Sequence, residues 1–283
     1  MTRGDTADAL AAVARLTEAL GIGPVVPVVV SAAEHLIVRL APLPLIVRVR
    51  SSPDPEHARA ALSREMAVAS YLATYDAPSV QLAGGIDPGP HVFGRHAMTI
   101  WALTPHRRAA GEADAWAAAL ALRALHTAFA AFDGPLPLLT DAIDACGDRI
   151  ASGDGLAALD RNDRRFLHGV YARQRAALRG FDYRSVPLHG DAHLGNALPT
   201  ETGIVWTDFE AACRGPIEWD IVALPANCWG AFADYDRDLA HCLADLRSLC
   251  VATWCWAAFG RSRANDDAAR YHLEVLRKRF GDQ

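Results

Sequence analysis

The stretch VPLHGDAHLGNALPTETGIVWTDFEAACRGPIEWDIV, residues 186–222, decides how the rest of the chain is read. It sets His189, Asp191, His193, Asn196, Asp208, Glu210 and Asp220 between short apolar runs. Residues 186–188 (VPL) read as a brief strand entering a polar turn, and 203–207 (GIVWT) as a second strand stopping at Asp208. Two β segments joined by a polar loop, with carboxylates and an amide at the strand ends, offer oxygen donors. Such donors suit a hard divalent cation such as Mg²⁺, which takes one or two carboxylates plus phosphate oxygens.

Asp191 and Asn196 stand five residues apart, and Asp208 follows twelve residues later. Alone, the first pair reads as turn chemistry, since Asp and Asn bond their own backbone. With Asp208 and Asp220 following, the set matches what phosphoryl transfer asks of a protein. That reaction needs a carboxylate to orient the attacking hydroxyl and ligands to hold a metal ion against nucleotide phosphates. Asp191 is expected to orient or deprotonate the acceptor hydroxyl, and Asn196 and Asp208 to bind the metal. An uncharged Asn among the ligands limits repulsion between carboxylates. Glu210 reads either as a further metal contact or as an exposed turn acid.

A metal-dependent hydrolase is an alternative. His189, Asp191 and His193 alternate, and on a strand that period would put all three on one face, as zinc ligation requires. This reading leaves Asn196 and residues 206–210 unexplained, and Gly190 and Gly195 suit a loop better than a strand.

The rest of the sequence bounds the class. A chain of 283 residues with 51% hydrophobic and 22% charged residues describes a globular protein large enough for two lobes. A net charge of −5 argues against nucleic acid as a main partner. No apolar run reaches the roughly 18 residues of a membrane span. The first 21 residues carry acids and helical periodicity rather than an apolar signal core. Six scattered cysteines with no zinc spacing fit reduced thiols and a cytoplasmic location.

Along the chain, residues 24–50 hold β-branched runs broken by proline or by SAAE, which predicts three antiparallel strands. Residues 56–75 repeat apolar positions at helical spacing, and 79–104 contain further short strands. Beyond Thr104 the chain turns alanine-rich and helical, over 112–132, 137–150, 156–179, 234–259 and 264–280. Two lobes with a cleft between them are expected, divided at 1–103 and 104–283. Trp219, Trp229, Tyr235, Trp254 and Trp256 read as core packing or as an aromatic cage. Asp234, Asp236 and Asp238 read as a solvated helix start or as the lining of a pocket for a polycationic acceptor.

HGDAHLGN (189–196), WTDFE (206–210) and GPIEWDI (215–221) together resemble the aminoglycoside phosphotransferase and choline kinase family. The family's His-Gly-Asp, four residues, then Asn is matched by His189, Gly190, Asp191 and Asn196. Its strand-end aspartate is matched by Asp208, and its Gly-Pro element with a following aspartate by Gly215, Pro216 and Asp220. The resemblance implies an α+β, protein-kinase-like two-lobe fold with an antiparallel-sheet N-terminal lobe and a mainly helical C-terminal lobe. It implies Mg²⁺-dependent transfer of the γ-phosphoryl of ATP or GTP to a hydroxyl of a small molecule. His189 and Asp220 would support the catalytic loop.

The resemblance reaches outward more loosely. LIVRVR (45–50) sits where the family carries a phosphate-binding lysine, and Glu65 where a helix glutamate pairs with it. MTIWALTP (98–105) falls at the adenine-contacting hinge, which implies Trp101 and Leu103. LRALHTAF (122–129), with His126, is similar to the helix preceding the catalytic loop. Two departures stand out. Lys278 is the sole lysine, so Arg48 must take the phosphate site. The loop expected to cover the phosphates, SAAE (31–34), lacks glycine and leaves Ser31 and backbone amides for that role. These departures raise a second alternative, a catalytically silent, kinase-like nucleotide-binding protein. Aminoglycosides, macrolides, choline-like alcohols, amino-sugars and homoserine-like compounds all remain open as acceptors, and the oligomeric state is unassigned.

Overall fold

The structure, a computed structural model, describes residues 3–32, 35–258 and 262–281. In chain order the elements are α1 (Arg3–Ala19), β1 (Val26–Ala32), β2 (Leu36–Ala41), β3 (Leu45–Ser51), α2 (Pro55–Ala73), β4 (His91–Phe93), β5 (His96–Ala102) and α3 (Gly111–Phe129). They continue with α4 (Leu139–Ser152), α5 (Arg161–Leu178), β6 (Val186–Leu188), β7 (Ala197–Thr200), β8 (Gly203–Trp206), β9 (Cys213–Gly215), α6 (Glu218–Ile221), α7 (Arg237–Ala257) and α8 (Arg263–Phe280). Two compact units emerge: residues 1–135 with 195–212, and residues 136–194 with 213–283.

The first unit holds a five-stranded antiparallel sheet in the order β1-β2-β3-β5-β4. Side chains alternate across a strand. One face therefore carries Leu36, Val38, Leu40, Val47, Val49, Met98 and Ile100, packed with Ala9, Ala12, Val13 and Leu16 of α1. The opposite face of β3 carries Ile46, Arg48 and Arg50. There Trp101 and Ile46 pack with Ala69 of α2 and with Leu198 and Val205 of the β7–β8 hairpin. The helix α2 starts where Asp54 accepts the His57 N–H at 3.0 Å and Pro55 occupies the first turn. The hairpin is tied down on both sides of Trp206. Its N–H donates to the Pro78 carbonyl at 2.8 Å, and its carbonyl accepts from Val80 at 2.9 Å.

The second unit is mainly helical. Its core is built by Leu139, Ile143, Cys146 and Ile150 of α4, Leu167 and Val170 of α5, and the buried stripe of α7 with Leu273 and Leu276 of α8. Asp236 caps α7 by accepting the Asp238 and Leu239 N–H groups, so the acidic run serves the helix start.

The strands of the central stretch pair differently from the expected β-turn-β unit. β6 pairs with β9, and β8 pairs with β7, in two separate two-stranded ladders, one in each unit. β7 and β9 are four and three residues long, and β7 contains Pro199, so neither displays the alternation that marks a strand. Among the described residues no helix is long and apolar enough to cross a membrane.

Candidate active site

In the second unit, β6 delivers the chain into a tightly braced loop. His189 is fully buried, and Gly190 adopts φ 85°, the left-handed region that glycine enters without a Cβ penalty. The buried Asp220 carboxylate accepts the His189 N–H at 2.8 Å and the Gly190 N–H at 2.9 Å. Trp219 Nε1 donates to the Gly190 carbonyl at 2.8 Å. The β6–β9 ladder sets this geometry, because Val186 pairs with Gly215 and the chain then turns through Pro216 into α6.

Asp191 follows directly. Its N–H donates to His189 Nδ1 at 3.3 Å, and its carbonyl accepts the His193 N–H at 2.9 Å. Arg247 Nη2, from α7, donates to Asp191 Oδ1 at 2.6 Å, and His193 Nε2 lies 3.3 Å from Oδ2. The Arg247 guanidinium stands 5.5 Å from the centre of the Trp219 ring. Burial pushes the Asp191 carboxyl upward, yet the His193 bond and the Arg247 charge outweigh it and hold the group well below the usual carboxylate range. Asp191 is thus a charged acceptor at any ordinary pH, with a third of its side chain exposed (35%).

Arg247 is a site residue that the sequence reading does not single out. The available signal is a charge at Arg247 in line with Leu243 and Cys250, the i−4 and i+3 positions of a buried helical stripe.

In the first unit, Arg48 is buried in β3 and organises a cluster of carboxylates. Its Nη1 donates to Glu65 Oε1 at 2.6 Å, and its Nη2 donates to Asp208 Oδ1 at 2.8 Å and Glu210 Oε2 at 3.0 Å. Glu210 also pairs with His35 Nε2 at 3.1 Å and with Arg50, and its carbonyl accepts from Arg64 at 3.1 Å. It is a half-buried ion-pair partner rather than an exposed turn acid. Burial pushes the Glu65 carboxyl up, against the pull of Arg48.

The β7–β8 hairpin joins Asn196 to this cluster. Ala197 pairs with Trp206, and the Thr207 N–H donates to the Asn196 carbonyl at 3.0 Å, so Asn196 and Asp208 flank the open end of one hairpin. Asp208 is held at φ 69°, uncommon for a residue with a Cβ, and its side chain is 34% exposed. An amide oxygen and a partly exposed carboxylate at one hairpin end fit the donor set of Mg²⁺, which takes its remaining ligands from phosphates and water. Among the described residues no three His, Cys, Asp or Glu side chains group so as to hold a metal ion, His189, Asp191 and His193 included.

The other sequence-derived positions stand elsewhere. Ser31 pairs with Ile37, and Ile37 with Arg48, so Ser31 lies in the same cross-strand row as Arg48, two strands away. The rest of the expected phosphate loop, residues 33 and 34, falls outside the described residues. Trp101 is buried, with Nε1 donating to Thr99 Oγ1 at 2.9 Å, and the Leu103 N–H donates to the Pro44 carbonyl at 2.8 Å. His126 is buried in α3. Trp219 and Trp256 are buried, Trp254 is exposed, and Trp229 meets Tyr235 edge-on at 6.3 Å.

The sheet-bearing first unit and helical second unit have the kinase-like fold seen in small-molecule phosphotransferases. The chain resembles an APH(2")-IIIa structure holding GDP and kanamycin, with a TM-score of 0.71, 13% identity, and coverage of 97% of this chain and 99% of that one. It also resembles amicoumacin kinase hAmiN in complex with AMP-PNP, Ca²⁺ and Ami (TM-score 0.66, 11% identity, 90% and 88% covered). A choline/ethanolamine kinase family protein from Mesorhizobium loti is similar to the same degree (TM-score 0.65, 16% identity, 91% and 88% covered). No curated protein matches the sequence. The phosphotransferase enzyme family (APH) matches residues 28–257, and this chain belongs to it. By that membership it is a small-molecule kinase of the family, and the hydrolase alternative falls with the assignment.

Proposed function

We propose that this chain transfers the γ-phosphoryl group of ATP or GTP to a hydroxyl of a small molecule in a Mg²⁺-dependent reaction. The observation that carries this reading is Arg48, which joins Glu65 and Asp208 within 2.8 Å on one guanidinium. That charge, held by a buried helix glutamate, would meet the nucleotide phosphates once they compete for it. Arginine suits that task through its planar fork of donors. Asn196 and Asp208 would hold the metal, whose charge, when bound, neutralises phosphate oxygens. Asp191 accepts a hydrogen bond from the acceptor hydroxyl and aims its oxygen at the γ-phosphorus. The new O–P bond forms as the β–γ bridging bond breaks, the diphosphate leaves, and the hydroxyl proton passes to Asp191 or solvent. Asp220 and His189 keep the loop in place. Residues 1–103, with Ser31, Trp101 and Leu103, serve the nucleotide, and 104–283 carry the catalytic loop and the acceptor pocket. AMP-PNP and GDP in the similar structures support a nucleotide donor. All six cysteines are free thiols, in keeping with a cytoplasmic location.

The arginine in place of lysine, bonded to Asp208, also favours a second reading, a nucleotide-binding protein without turnover. Thermal unfolding with Mg-ATP or Mg-GTP, with and without chelator, tests the nucleotide site. Nucleotide at about a hundred times its Kd stabilises by roughly 2.7 kcal/mol. A chelator-sensitive shift is expected. Stability unchanged by either nucleotide would contradict both readings, and a shift without any phosphate release or transfer would favour the second.

A further inference from the structure

We propose that Arg247 is a positioning residue that fixes the Asp191 carboxylate for its encounter with the acceptor hydroxyl. This rests on the phosphotransfer reading of Asp191. Four links close a circuit. Arg247 Nη2 donates to Asp191 Oδ1 at 2.6 Å, and its guanidinium lies 5.5 Å from the Trp219 ring centre. Trp219 Nε1 donates to the Gly190 carbonyl at 2.8 Å, and the Gly190 peptide leads back into Asp191. The backbone entering Asp191 and its side chain are therefore held by one Trp–Arg pair.

Arg247 is 7% exposed, on a helix whose adjoining residues Leu246, Leu249 and Cys250 are fully buried. A buried cation needs a counter-charge. The carboxylate that supplies it is Asp191, while Arg247 Nη1 is buried with no hydrogen-bond partner among the described residues. The other carboxylates nearby are committed elsewhere. Asp220 accepts two backbone N–H groups, and Asp245 pairs with Arg279 of α8 at 3.0 Å. The Asp191 carboxylate meets His193 on its own loop and Arg247 from α7, and its N–H meets the His189 ring. The Arg247 charge also bears on His272 of α8 and Cys250 of its own helix.

With Oδ1 held by the guanidinium at 2.6 Å and Oδ2 beside His193 Nε2 at 3.3 Å, the carboxylate cannot rotate freely. Arg247 is itself buried and acts through the Asp191 carboxylate that it holds. Its contribution is orientation and the retention of charge on the acceptor oxygen.

The test compares wild type with Arg247→Met, which keeps the volume without the charge, and Arg247→Lys, which keeps the charge. Mg-ATP hydrolysis, with water as acceptor, gives kcat and KM for the nucleotide. Carboxyl-¹³C aspartate NMR, assigned with Asp191→Asn, follows protonation of Asp191 without any need for turnover. In Arg247→Met we expect kcat to fall about tenfold or more with KM within about twofold. The Asp191 carboxyl should titrate at least about one pH unit higher, and Arg247→Lys should recover most of both. An unmoved Asp191 titration, or loss of kcat not recovered by lysine, would overturn the proposal. A wild type silent toward water and toward every hydroxyl acceptor, with the carboxyl shift intact, would instead count against phosphotransfer and leave the Arg247–Asp191 coupling standing.

Discussion

The Arg48 guanidinium donates to Asp208 at 2.8 Å across 160 positions of sequence, and its other nitrogen holds Glu65. Removing it leaves Glu65, 1% exposed, as a buried charge without its cation. Breaking such a buried pair from one side costs about 3–5 kcal/mol. Arg48→Met is expected to unfold at markedly lower urea and to bind Mg-nucleotide poorly. Arg48→Lys, which lacks the fork that spans both acids, should be intermediate in stability. Urea midpoints with nucleotide titrations check both.

Asp191 and Asp208 are expected to separate binding from turnover. Asp191→Asn should abolish transfer with the nucleotide Kd nearly unchanged, whereas Asp208→Asn should weaken metal-dependent nucleotide binding itself. Calorimetric titration of Mg-ATP into each variant reads the difference. An Asp191→Asn protein with wild-type turnover would exclude Asp191 as the group that receives the acceptor hydroxyl.

Asp220 satisfies the backbone N–H groups of His189 and Gly190, and both are inside the protein. An amide keeps one acceptor oxygen and sets an NH₂ against the second N–H, leaving a buried donor unsatisfied at about 1–3 kcal/mol. Asp220→Asn should lose that much stability. It should also lose kcat more than nucleotide affinity, since the loop it braces carries Asp191.

The α7–α8 seam holds two groups that titrate with opposite effect. Burial pushes Asp245 up to about 6, with Arg279 opposing, and burial pushes His272 down to about 4. Between about pH 4 and 6 the folded chain holds a proton on Asp245 that the unfolded chain has lost, so its contribution to stability declines as pH rises. Over the same window His272 is neutral when folded and charged when unfolded, so its contribution grows with pH. The two slopes oppose each other in the wild type. Asp245→Asn should unmask stability rising from about pH 4 to 6.5, and His272→Gln should unmask stability falling from about pH 4 to 6. Melting curves across this range give the signs.

Much of the first unit is legible in the sequence because its strands are six and seven residues long, β-branched and bounded by proline or polar turns. The helix after Asp54-Pro55 carries its own start signal. The ladders around the loop that carries Asp191 are not legible. Three- and four-residue strands show no period, and their partners, β9 for β6 and β7 for β8, are set by the packing of two different units. Arg48, Glu65 and Asp208 each stand out in the sequence, but nothing local shows that one guanidinium holds both acids. Nor does any local cue mark Glu210 as the meeting point of His35, Arg48 and Arg50. Arg247 lies furthest from view, because its partner is 56 residues away and a single arginine in a helix reads as surface unless the buried stripe is already known.

Whether Asp191 directs phosphoryl transfer is decided by following label from γ-³²P ATP or GTP, with Mg²⁺, to a panel of small hydroxyl compounds and to water. Wild type is run beside Asp191→Asn. Label should reach at least one acceptor, and both chelator and the substitution should abolish it. Tight, metal-dependent nucleotide binding with no label moved to any acceptor or to water would contradict phosphotransfer and identify a binding protein on a kinase-like fold.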